Sequence, residues 1–597
     1  MNLPARALFP LLLLAAMISL AARPPQRPTT PTETRSRVVK SWMRSMTLHE
    51  KAAQLVMVPF FGDAPHPRSV EYQKYLRWVR NLRVGGLVLI NRVQDGHVRS
   101  AEPYAMAAFL NRMQKASKVP LLVAGDFERG DSMRLESKTL FPHAMAFAAT
   151  RDPSLSRFEG EVTARQAIAL GVPWILAPVS DVNSNPENPI VNIRSYGEDP
   201  DEVAAHVRAF IDGAHSVGPV LVTAKHFPGH GDASVDTHLA LAVINADRAR
   251  LEKIDLAPFR AAIAGGVDAV MSAHIAVPAL DPSGAPATLS APMLTNLLRR
   301  EMGFHGIVAS DALDMGGITQ HWTAAQAAVR AIEAGSDVLL MPANPEEAVA
   351  AIANAVRRGA ISRERLEDSV ARVLAAKVRL GLNRHRLVDL DTMMDDLDTP
   401  EDVERVQQIA DRAVTLVRNE GGLVPLSPTA SVSFLVLAES RGSQQGRVLA
   451  AEIRKRMPNA AIAALDPAAS EADLAQATAS AQTSALTVVA AFVSVAAYRG
   501  SVALAGEYPA LLNRILEGSK PVVLVALGNP YLLRSFPGVG AYLTTYSTVP
   551  PAETAAVEAL FGEISIQGRL PVTIPGLAKY GDGIQLAARP AAAPAKQ

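Results

Sequence analysis

Residues 219–238 read PVLVTAKHFPGHGDASVDTH, and the rest of the first domain repeats the pattern of this stretch. Its apolar start, residues 220–223, predicts a short buried strand. A proline and two glycines follow and predict a loop, because neither a helix nor a strand continues easily through them. The segment carries three histidines, a lysine and two aspartates. Titratable side chains gathered at the carboxyl end of a buried strand are typical of a catalytic face.

Short apolar runs recur along the chain and predict eight strands. The runs are residues 55–58, 85–90, 121–125, 174–178, 220–223, 269–272, 307–309 and 338–341. Helical patterns fill the gaps between them. Asp199 is placed to cap one helix, with Pro200 at its first position, and Thr323 is placed to cap another. Eight short strands that alternate with helices predict an α/β fold, a (β/α)₈ TIM-like barrel.

Polar residues stand at the ends of several predicted strands, namely Asp126, Lys225, His226, His274 and Asp311. They are scattered along the chain, but the carboxyl ends of the strands in such a barrel meet at one face. We therefore expect these side chains to surround a single site.

A second domain is predicted after a charged, Asp-rich linker. An amphipathic helix at 403–416 precedes apolar runs at 432–437, 486–493, 522–527 and 542–545. Strands separated by Ala-rich helical segments predict an α/β sandwich with a mostly parallel sheet. The predicted boundaries are 36–385 for the catalytic barrel, 386–402 for the linker, 403–585 for the sandwich and 586–597 for a flexible tail.

The first residues match a secretory signal peptide. Arg6 precedes an uncharged apolar run that ends at Ala22, and small residues precede Arg23. This pattern predicts a signal peptide at 1–22, a disordered Pro- and Thr-rich leader at 23–35, and a periplasmic or secreted protein. A membrane anchor is the alternative, because the run is near the lower limit for a span. Membrane contact is expected only if this segment is uncleaved.

The composition excludes several classes of protein. A chain of 597 residues is too long for one hydrophobic core. The 59 Lys and Arg residues balance 58 Asp and Glu residues, so nothing electrostatic favours binding to nucleic acid. There is no cysteine, which excludes disulfides and, with no His-x-x-x-His pair on a helix, argues against a zinc site.

Asp236 and His238 are spaced so that the carboxylate can orient the imidazole if the loop folds back on itself. A general acid/base histidine needs such an arrangement, and an imidazole with a pKa near 6.5 transfers protons readily at neutral pH. A solvated polar loop, in which the pair is only a hydrogen bond, and a metal site are the alternatives.

The motif Lys-His-Phe-Pro-Gly-His-Gly at 225–231, followed by Asp-x-His at 236–238, resembles the signature of the exo-β-N-acetylglucosaminidases of glycoside hydrolase family 3. The stretches RNEGGLVPL at 418–426 and GRLPVT at 568–573 resemble the opening segment and the closing strand of the second domain in two-domain members. The resemblance implies a small carbohydrate substrate and no metal or organic cofactor.

The resemblance also implies catalytic roles. Asp311, in a Ser-Asp pair after the seventh run, is the nucleophile, and His238, held by Asp236, is the acid/base. Taken alone, Asp311 could instead cap the next helix, and Asp314 in the following turn is a rival nucleophile. Many members carry an acidic residue where this chain has Ala312.

Five residues hold the sugar by the same resemblance: Asp126, Arg134, Arg194, Lys225 and His226. Each of them, taken singly, also suits a solvated or salt-bridged group. The family's double glycine after Asp-x-Glu is here Arg129-Gly130, a departure at the substrate loop. His230 and His274 are expected to be structural histidines.

The predicted function is retaining exo-hydrolysis of terminal non-reducing β-N-acetylglucosaminyl residues through a glycosyl ester of Asp311. Peptidoglycan fragments are the first expected substrate and chitin oligosaccharides the second. One alternative is a family 3 phosphorylase or β-glucosidase. The other is a non-catalytic carbohydrate-binding wall protein, which Ala312 and the altered Asp-x-Glu loop leave open.

Overall fold

The structure is a computed structural model that describes residues 36–94 and 97–590. The predicted signal peptide at 1–22, the leader at 23–35 and residues 591–597 of the predicted tail lie outside the described residues. Within the described ranges, no helix combines the length and the apolar character needed to cross a bilayer.

Eight parallel strands form the first domain. In chain order they are β1 (Val56–Phe60), β2 (Gly86–Leu89), β3 (Leu122–Gly125), β4 (Trp174–Ile175), β5 (Leu221–Phe227), β6 (Ala269–Ser272), β7 (Ile307–Ser310) and β8 (Leu339–Leu340). Their order in the sheet is β7-β6-β5-β4-β3-β2-β1-β8. A parallel bridge between Ala309 and Val338 links the two outer strands, so the sheet is a nearly closed barrel. The prediction of a TIM-like barrel is confirmed.

Helices surround the barrel because each strand is buried on both faces and needs an apolar cover. They are Arg37–Arg44, Leu48–Ala53, Val70–Leu76, Pro103–Ala116, Ala144–Ala149, Pro153–Ala169, Pro200–Val217, Arg248–Lys253, Ala257–Ala264, Gly316–Thr319, Ala324–Ala334, Pro345–Arg357 and Arg363–Arg379, with π-helical segments at Arg77–Leu82 and Pro292–Glu301. Asp199 and Thr323 accept hydrogen bonds from first-turn amides, so both predicted caps are confirmed.

Strand β5 is longer than its apolar run suggests. It continues through Lys225 and His226 to Phe227, and pairs with β6 across a shift in register. The two polar residues therefore lie in a strand, where the sequence predicts a loop. The ladder continues on the β6 side because the Phe227 carbonyl accepts a hydrogen bond from the Ala273 amide at 2.8 Å, and on the β4 side the Lys225 carbonyl accepts from the Ser180 amide. The loop itself begins at Pro228.

The second domain contains one sheet of six strands. They are β9 (Thr415–Asn419), β10 (Val432–Leu437), β11 (Ala461–Leu465), β12 (Leu486–Val493), β13 (Val522–Gly528) and β14 (Ala541–Thr544), in the order β9-β14-β13-β12-β10-β11. All neighbours are parallel except β9 and β14. The helices are Pro400–Ala413, Arg447–Arg456, Glu471–Thr483, Tyr508–Leu516 and Pro550–Phe561. Separate apolar cores lie against the two faces of the sheet, which confirms the α/β sandwich.

The segment 568–573, expected to be a closing strand, is not a strand. It instead crosses to the barrel, where the Pro571 carbonyl accepts from the Glu198 amide at 3.0 Å. The Thr573 amide and hydroxyl both donate to the Glu198 carboxylate, at 2.7 and 2.6 Å. The barrel residues Met145 and Ile193 pack in the core of the second domain. The two domains therefore share an apolar and hydrogen-bonded interface.

A buried carboxylate, that of Asp337 just before β8, links several elements of the barrel through ion pairs and hydrogen bonds. Asp337 has no exposed side-chain surface and contacts three guanidinium groups, those of Arg299, Arg365 and Arg372. It also accepts from the Ser369 hydroxyl at 2.5 Å and from the Val308 amide at 3.0 Å. Burial would raise the pKa of this carboxyl, but the three arginines hold the pKa far below its ordinary value.

We expect Asp337→Asn to lower the free energy of unfolding of the barrel by about 3 kcal/mol, because three guanidinium groups lose their common anion. Chemical denaturation of the full chain measures the effect. Glu252→Gln is the matched control, since Glu252 pairs with two arginines at the surface, where ion pairs contribute at most about 1 kcal/mol. Equal effects of the two substitutions would contradict the prediction.

Candidate active site

A cavity of about 480 Å³ opens at the carboxyl ends of the barrel strands. Seven of the eight predicted site residues line it: Asp126, Arg134, Arg194, Lys225, His226, His238 and Asp311. The eighth, Asp236, lies directly behind His238. The structure thus brings together side chains that are scattered over the whole length of the barrel sequence.

Asp311 follows β7 and points into this cavity. Its Oδ1 accepts a hydrogen bond from the Ala312 amide at 2.7 Å. Burial would raise the pKa of the Asp311 carboxyl, but His226, His274 and His238 lie close enough to lower the pKa below its ordinary value. The group is therefore an ionised carboxylate at neutral pH.

Ala312 contributes to the site through its backbone. Its amide donates to Asp311, and its carbonyl oxygen lies 2.9 Å from Nε2 of His274. The other ring nitrogen of His274 lies 2.9 Å from the Thr288 hydroxyl. Both contacts of Ala312 are independent of its side chain, so the alanine at this position leaves the geometry around Asp311 intact.

His238 and Asp236 form a hydrogen-bonded pair on the loop after β5. Oδ1 of Asp236 lies 2.7 Å from Nδ1 of His238 and also accepts from the His238 amide at 2.9 Å. Its Oδ2 accepts from the amide of Tyr498, a residue of the second domain, at 2.9 Å. Burial would raise the pKa of Asp236, but these bonds to His238 and Tyr498 lower it. Asp236 thus occupies Nδ1 of the imidazole, and Nε2 is the ring nitrogen left for a substrate in the cavity that His238 lines.

A row of alternating charges forms another part of the cavity lining. Asp126 contacts Arg134 at 2.7 Å and Lys225 at 2.8 Å. Lys225 also contacts Glu128 at 2.7 Å, and Glu128 binds Arg194 through two hydrogen bonds of 2.8 Å. Burial would raise the pKa of Asp126, but Lys225 and Arg134 hold it at about 2. The predicted cations are therefore all paired with carboxylates.

Sequence reasoning missed Glu128 as a site residue, although it stands in the Asp-x-Glu segment. Burial would raise its pKa, but Arg194 and Lys225 hold the pKa well below its ordinary value. Although Arg129 replaces the family's first glycine, the carboxylates of Asp126 and Glu128 both still line the cavity. The second glycine is retained as Gly130, whose φ of 67° favours glycine.

A second buried carboxylate orients His226. Asp181, which is fully buried, lies 2.8 Å from Nδ1 of His226 and accepts from the His226 amide at 3.1 Å. It also accepts from the His230 amide at 2.8 Å. His230 reaches the Thr237 hydroxyl through Nε2 at 2.9 Å, and burial lowers the pKa of its ring to about 4. His230 is thus a neutral imidazole that joins the two ends of the loop.

Comparisons with known proteins agree with this architecture. The profile described as Glycosyl hydrolase family 3 N terminal domain matches residues 47–376, and the profile described as Glycosyl hydrolase family 3 C-terminal domain matches residues 414–590. A protein of Cellulomonas fimi named beta-N-acetylglucosaminidase/beta-glucosidase is 30% identical over 552 residues, which cover 89% of this chain and 95% of that protein.

Two further matches are similar in sequence or in structure. A beta-hexosaminidase of Xylella fastidiosa (strain 9a5c) is 36% identical over 285 residues, which cover 46% of this chain and 82% of that protein. The solved structure of a glycoside hydrolase family 3 beta-N-acetylglucosaminidase from Paenibacillus sp. str. FPU-7 superposes with a TM-score of 0.78 at 31% identity. The match covers 89% of this chain and 99% of that one. The chain therefore belongs to glycosyl hydrolase family 3, has both of the family's domains, and is a glycoside hydrolase.

Proposed function

We propose that this protein is a retaining exo-β-N-acetylglucosaminidase, in which Asp311 is the nucleophile and His238 is the acid/base. One observation carries the proposal: an ionised Asp311 and an imidazole backed by Asp236 line the same cavity. Retaining hydrolysis needs such a pair, one group to attack the anomeric carbon and one to protonate the departing oxygen.

Each group has a defined task in the two steps. The Asp311 carboxylate attacks the anomeric carbon while protonated His238 gives its proton to the leaving-group oxygen. Neutral His238 then takes a proton from water, and the resulting hydroxide releases the sugar from Asp311. Asp236 stabilises the imidazolium and holds the ring in the required tautomer, because it occupies Nδ1.

The row of charges is the proposed sugar-binding surface. Asp126, Arg134, Arg194, Lys225 and His226 offer directed polar contacts that are held in place by their partners. Terminal N-acetylglucosamine on peptidoglycan fragments is the proposed natural substrate, followed by chitin oligosaccharides. A family 3 relative and a structural neighbour that carry β-N-acetylglucosaminidase in their names support this choice of sugar. Export, inferred from the pattern of residues 1–22, would bring the enzyme to such material.

A phosphorylase is the second candidate, because a structure titled beta-glucoside phosphorylase BglX superposes with a TM-score of 0.79 at 27% identity. The charges in the cavity favour water over phosphate. Arg134, Arg194 and Lys225 are already paired with carboxylates, and the Asp311 carboxylate adds negative charge. An incoming phosphate dianion would meet a field that repels it.

Product analysis of an aryl β-N-acetylglucosaminide tests the proposed function. We expect free N-acetylglucosamine as the product, at a rate that inorganic phosphate does not change, and slower cleavage of the matching aryl β-glucoside. A sugar 1-phosphate formed at a phosphate-dependent rate would establish the phosphorylase instead. Preference for the glucoside would establish a β-glucosidase, and a failure to cleave either glycoside would point to a carbohydrate-binding protein.

Lys225→Met should lower kcat/KM by roughly 10²-fold and move the acid limb of its pH profile to higher pH. Lys225 is the largest influence that opposes burial at Asp126, whose pKa it helps to hold at about 2. Without the ammonium the pKa of Asp126 rises, so the carboxyl becomes protonated at a higher pH as the solution is acidified. The measurement is kcat/KM against pH. Lys118→Met, at a surface lysine paired with Glu50, is the control, and an unmoved acid limb in Lys225→Met would contradict the prediction.

A further inference from the structure

A loop of the second domain reaches the active-site cavity. It follows β12, and its residues Val495, Ala496, Ala497 and Tyr498 line the cavity beside residues of the barrel. Tyr498 contacts the proposed acid/base pair directly. Its amide donates to Oδ2 of Asp236 at 2.9 Å, and its ring lies edge-on to the His238 ring with 5.2 Å between centroids.

The loop is anchored within its own domain by one carboxylate. Glu439 accepts from the Ser494 amide at 2.7 Å and from the Ser494 hydroxyl at 2.9 Å. It also pairs with Arg499 at 2.8 Å and accepts from the Gln445 side chain at 2.8 Å. Ser494 and Arg499, which flank the 495–498 segment, are thus held by the same side chain, and this fixes the position of the loop relative to its own domain.

The conformation of Tyr498 shows that the loop is shaped for this contact. Its φ is 67°, a left-handed value that costs free energy for a residue other than glycine. The residue is 62% exposed, so burial of its ring does not compensate for that cost. The strained backbone does, however, direct the amide to Asp236 and the ring to His238.

The Asp236 carboxylate receives a contact from outside its own loop. Within the described ranges three N–H groups meet this carboxylate: two belong to His238, two residues along the same chain segment, and the third is the Tyr498 amide. Residues 228–241 form no helix or regular strand, but the backbone of this loop is held to the barrel: the Gly317 and Gly316 amides donate to the Thr237 and His238 carbonyls at 3.0 Å. The contact from the second domain therefore acts on the side chains: it fixes the rotation of the Asp236 carboxylate and, through it, the orientation of the His238 ring.

We propose that Tyr498 is a positioning residue for the acid/base pair, and that the second domain holds His238 in its proton-transferring orientation through the loop anchored by Glu439. The inference rests on the proposed function, since it assumes that His238 transfers the proton. Tyr498 itself takes no part in a bond-making step.

The test compares leaving groups, because poor positioning of an acid slows only the reactions that need the acid. Tyr498→Gly removes the ring but keeps the amide and tolerates the left-handed φ, and Glu439→Gln weakens the anchor of the loop. We expect each variant to lower kcat/KM about tenfold for a chitin disaccharide. The same variants should change kcat/KM by less than about twofold for a dinitrophenyl glycoside, whose departure needs little protonation.

Two controls separate positioning from a general effect on the fold. Tyr498→Phe keeps the ring and should match the wild type on every substrate. Glu563→Gln removes a carboxylate paired with Arg456 elsewhere in the second domain and should also match it. Equal losses on all leaving groups in Tyr498→Gly and Glu439→Gln, or no losses at all, would overturn the inference while leaving the proposed function in place. A wild-type enzyme that cleaves none of these glycosides would overturn both.

Discussion

Asp311→Asn is expected to lower turnover of an aryl β-N-acetylglucosaminide by at least about 10⁴-fold, because a carboxamide cannot form the glycosyl ester. The substitution is nearly isosteric, and the Oδ1 of the new side chain can still accept from the Ala312 amide, as Asp311 does at 2.7 Å. Steady-state kinetics measures the loss, and a melting curve confirms that the fold is retained.

Asp314→Asn is the matched control for this prediction. Asp314 lies in the turn after Asp311 and lines the same cavity. Its pKa is raised by burial and by the neighbouring Asp311, so it is the other candidate for the acid chemistry at this strand end. We expect Asp314→Asn to retain at least about a tenth of wild-type turnover, since the residue contacts the site from its rim. A larger loss in Asp314→Asn than in Asp311→Asn would exchange the roles of the two residues.

His238→Ala should show the second largest effect. We expect it to lower kcat/KM by about 10²- to 10⁴-fold, by an amount that depends on the leaving group. A chitin disaccharide needs full protonation of its leaving oxygen, so its cleavage should be slowed most. A dinitrophenyl glycoside should still form the glycosyl ester quickly, because its leaving group departs as an anion. Added azide, a nucleophile that needs no general base, should then accelerate turnover of the activated substrate.

The exposed His321 provides the control for His238, since it is also a histidine and does not line the cavity. His321→Ala should behave as the wild type with both substrates. Equal losses on the disaccharide and on the dinitrophenyl glycoside in His238→Ala would exclude this imidazole as the acid. The acid would then have to come from another residue of the cavity, with Asp314 as the first choice.

The barrel was predictable because its strands are short, apolar and buried on both faces. The strand Ala269–Ser272 has the predicted bounds, and the bounds of the other seven differ by a few residues at their ends. Strand β5 shows why: strand pairing with β6 continues through Lys225 and His226, two polar residues that hydrophobic patterning places outside a strand. Their side chains are buried among partners that lie far away in the sequence.

In the second domain two strands went unpredicted for different reasons. Strand β9 directly follows a helix, and the apolar pattern of the helix continues into it through Val414 and Leu416. Strand β11, Ala461–Leu465, lies at the edge of the sheet, is partly exposed and consists largely of alanine, which has little preference for strands. In neither segment does the apolar pattern of the sequence distinguish a strand from a helix.

Half of the predicted site residues could be assembled because they stand in or next to barrel strands, and the other half lie in the loops that follow those strands. The contact of Asp236 with Tyr498 could not be predicted, because the two residues are 262 positions apart and lie in different domains. Nothing in the local sequence around Tyr498 distinguishes it from a surface loop. The pairing of Arg194 and Lys225 with Glu128 was missed for a related reason, since it joins the loop after β3, the 3₁₀ turn Asn192–Arg194 and strand β5.

The central claim is that the Asp311 carboxylate and the His238 imidazole act in turn on one anomeric carbon. The most direct measurement is the intact mass of His238→Ala during reaction with a dinitrophenyl β-N-acetylglucosaminide, followed by peptide mapping. Because this variant forms the glycosyl ester but lacks the base that activates water, a covalent adduct of one N-acetylglucosaminyl group should accumulate on Asp311. Rapid turnover without an adduct, or an adduct on another residue, would contradict the account.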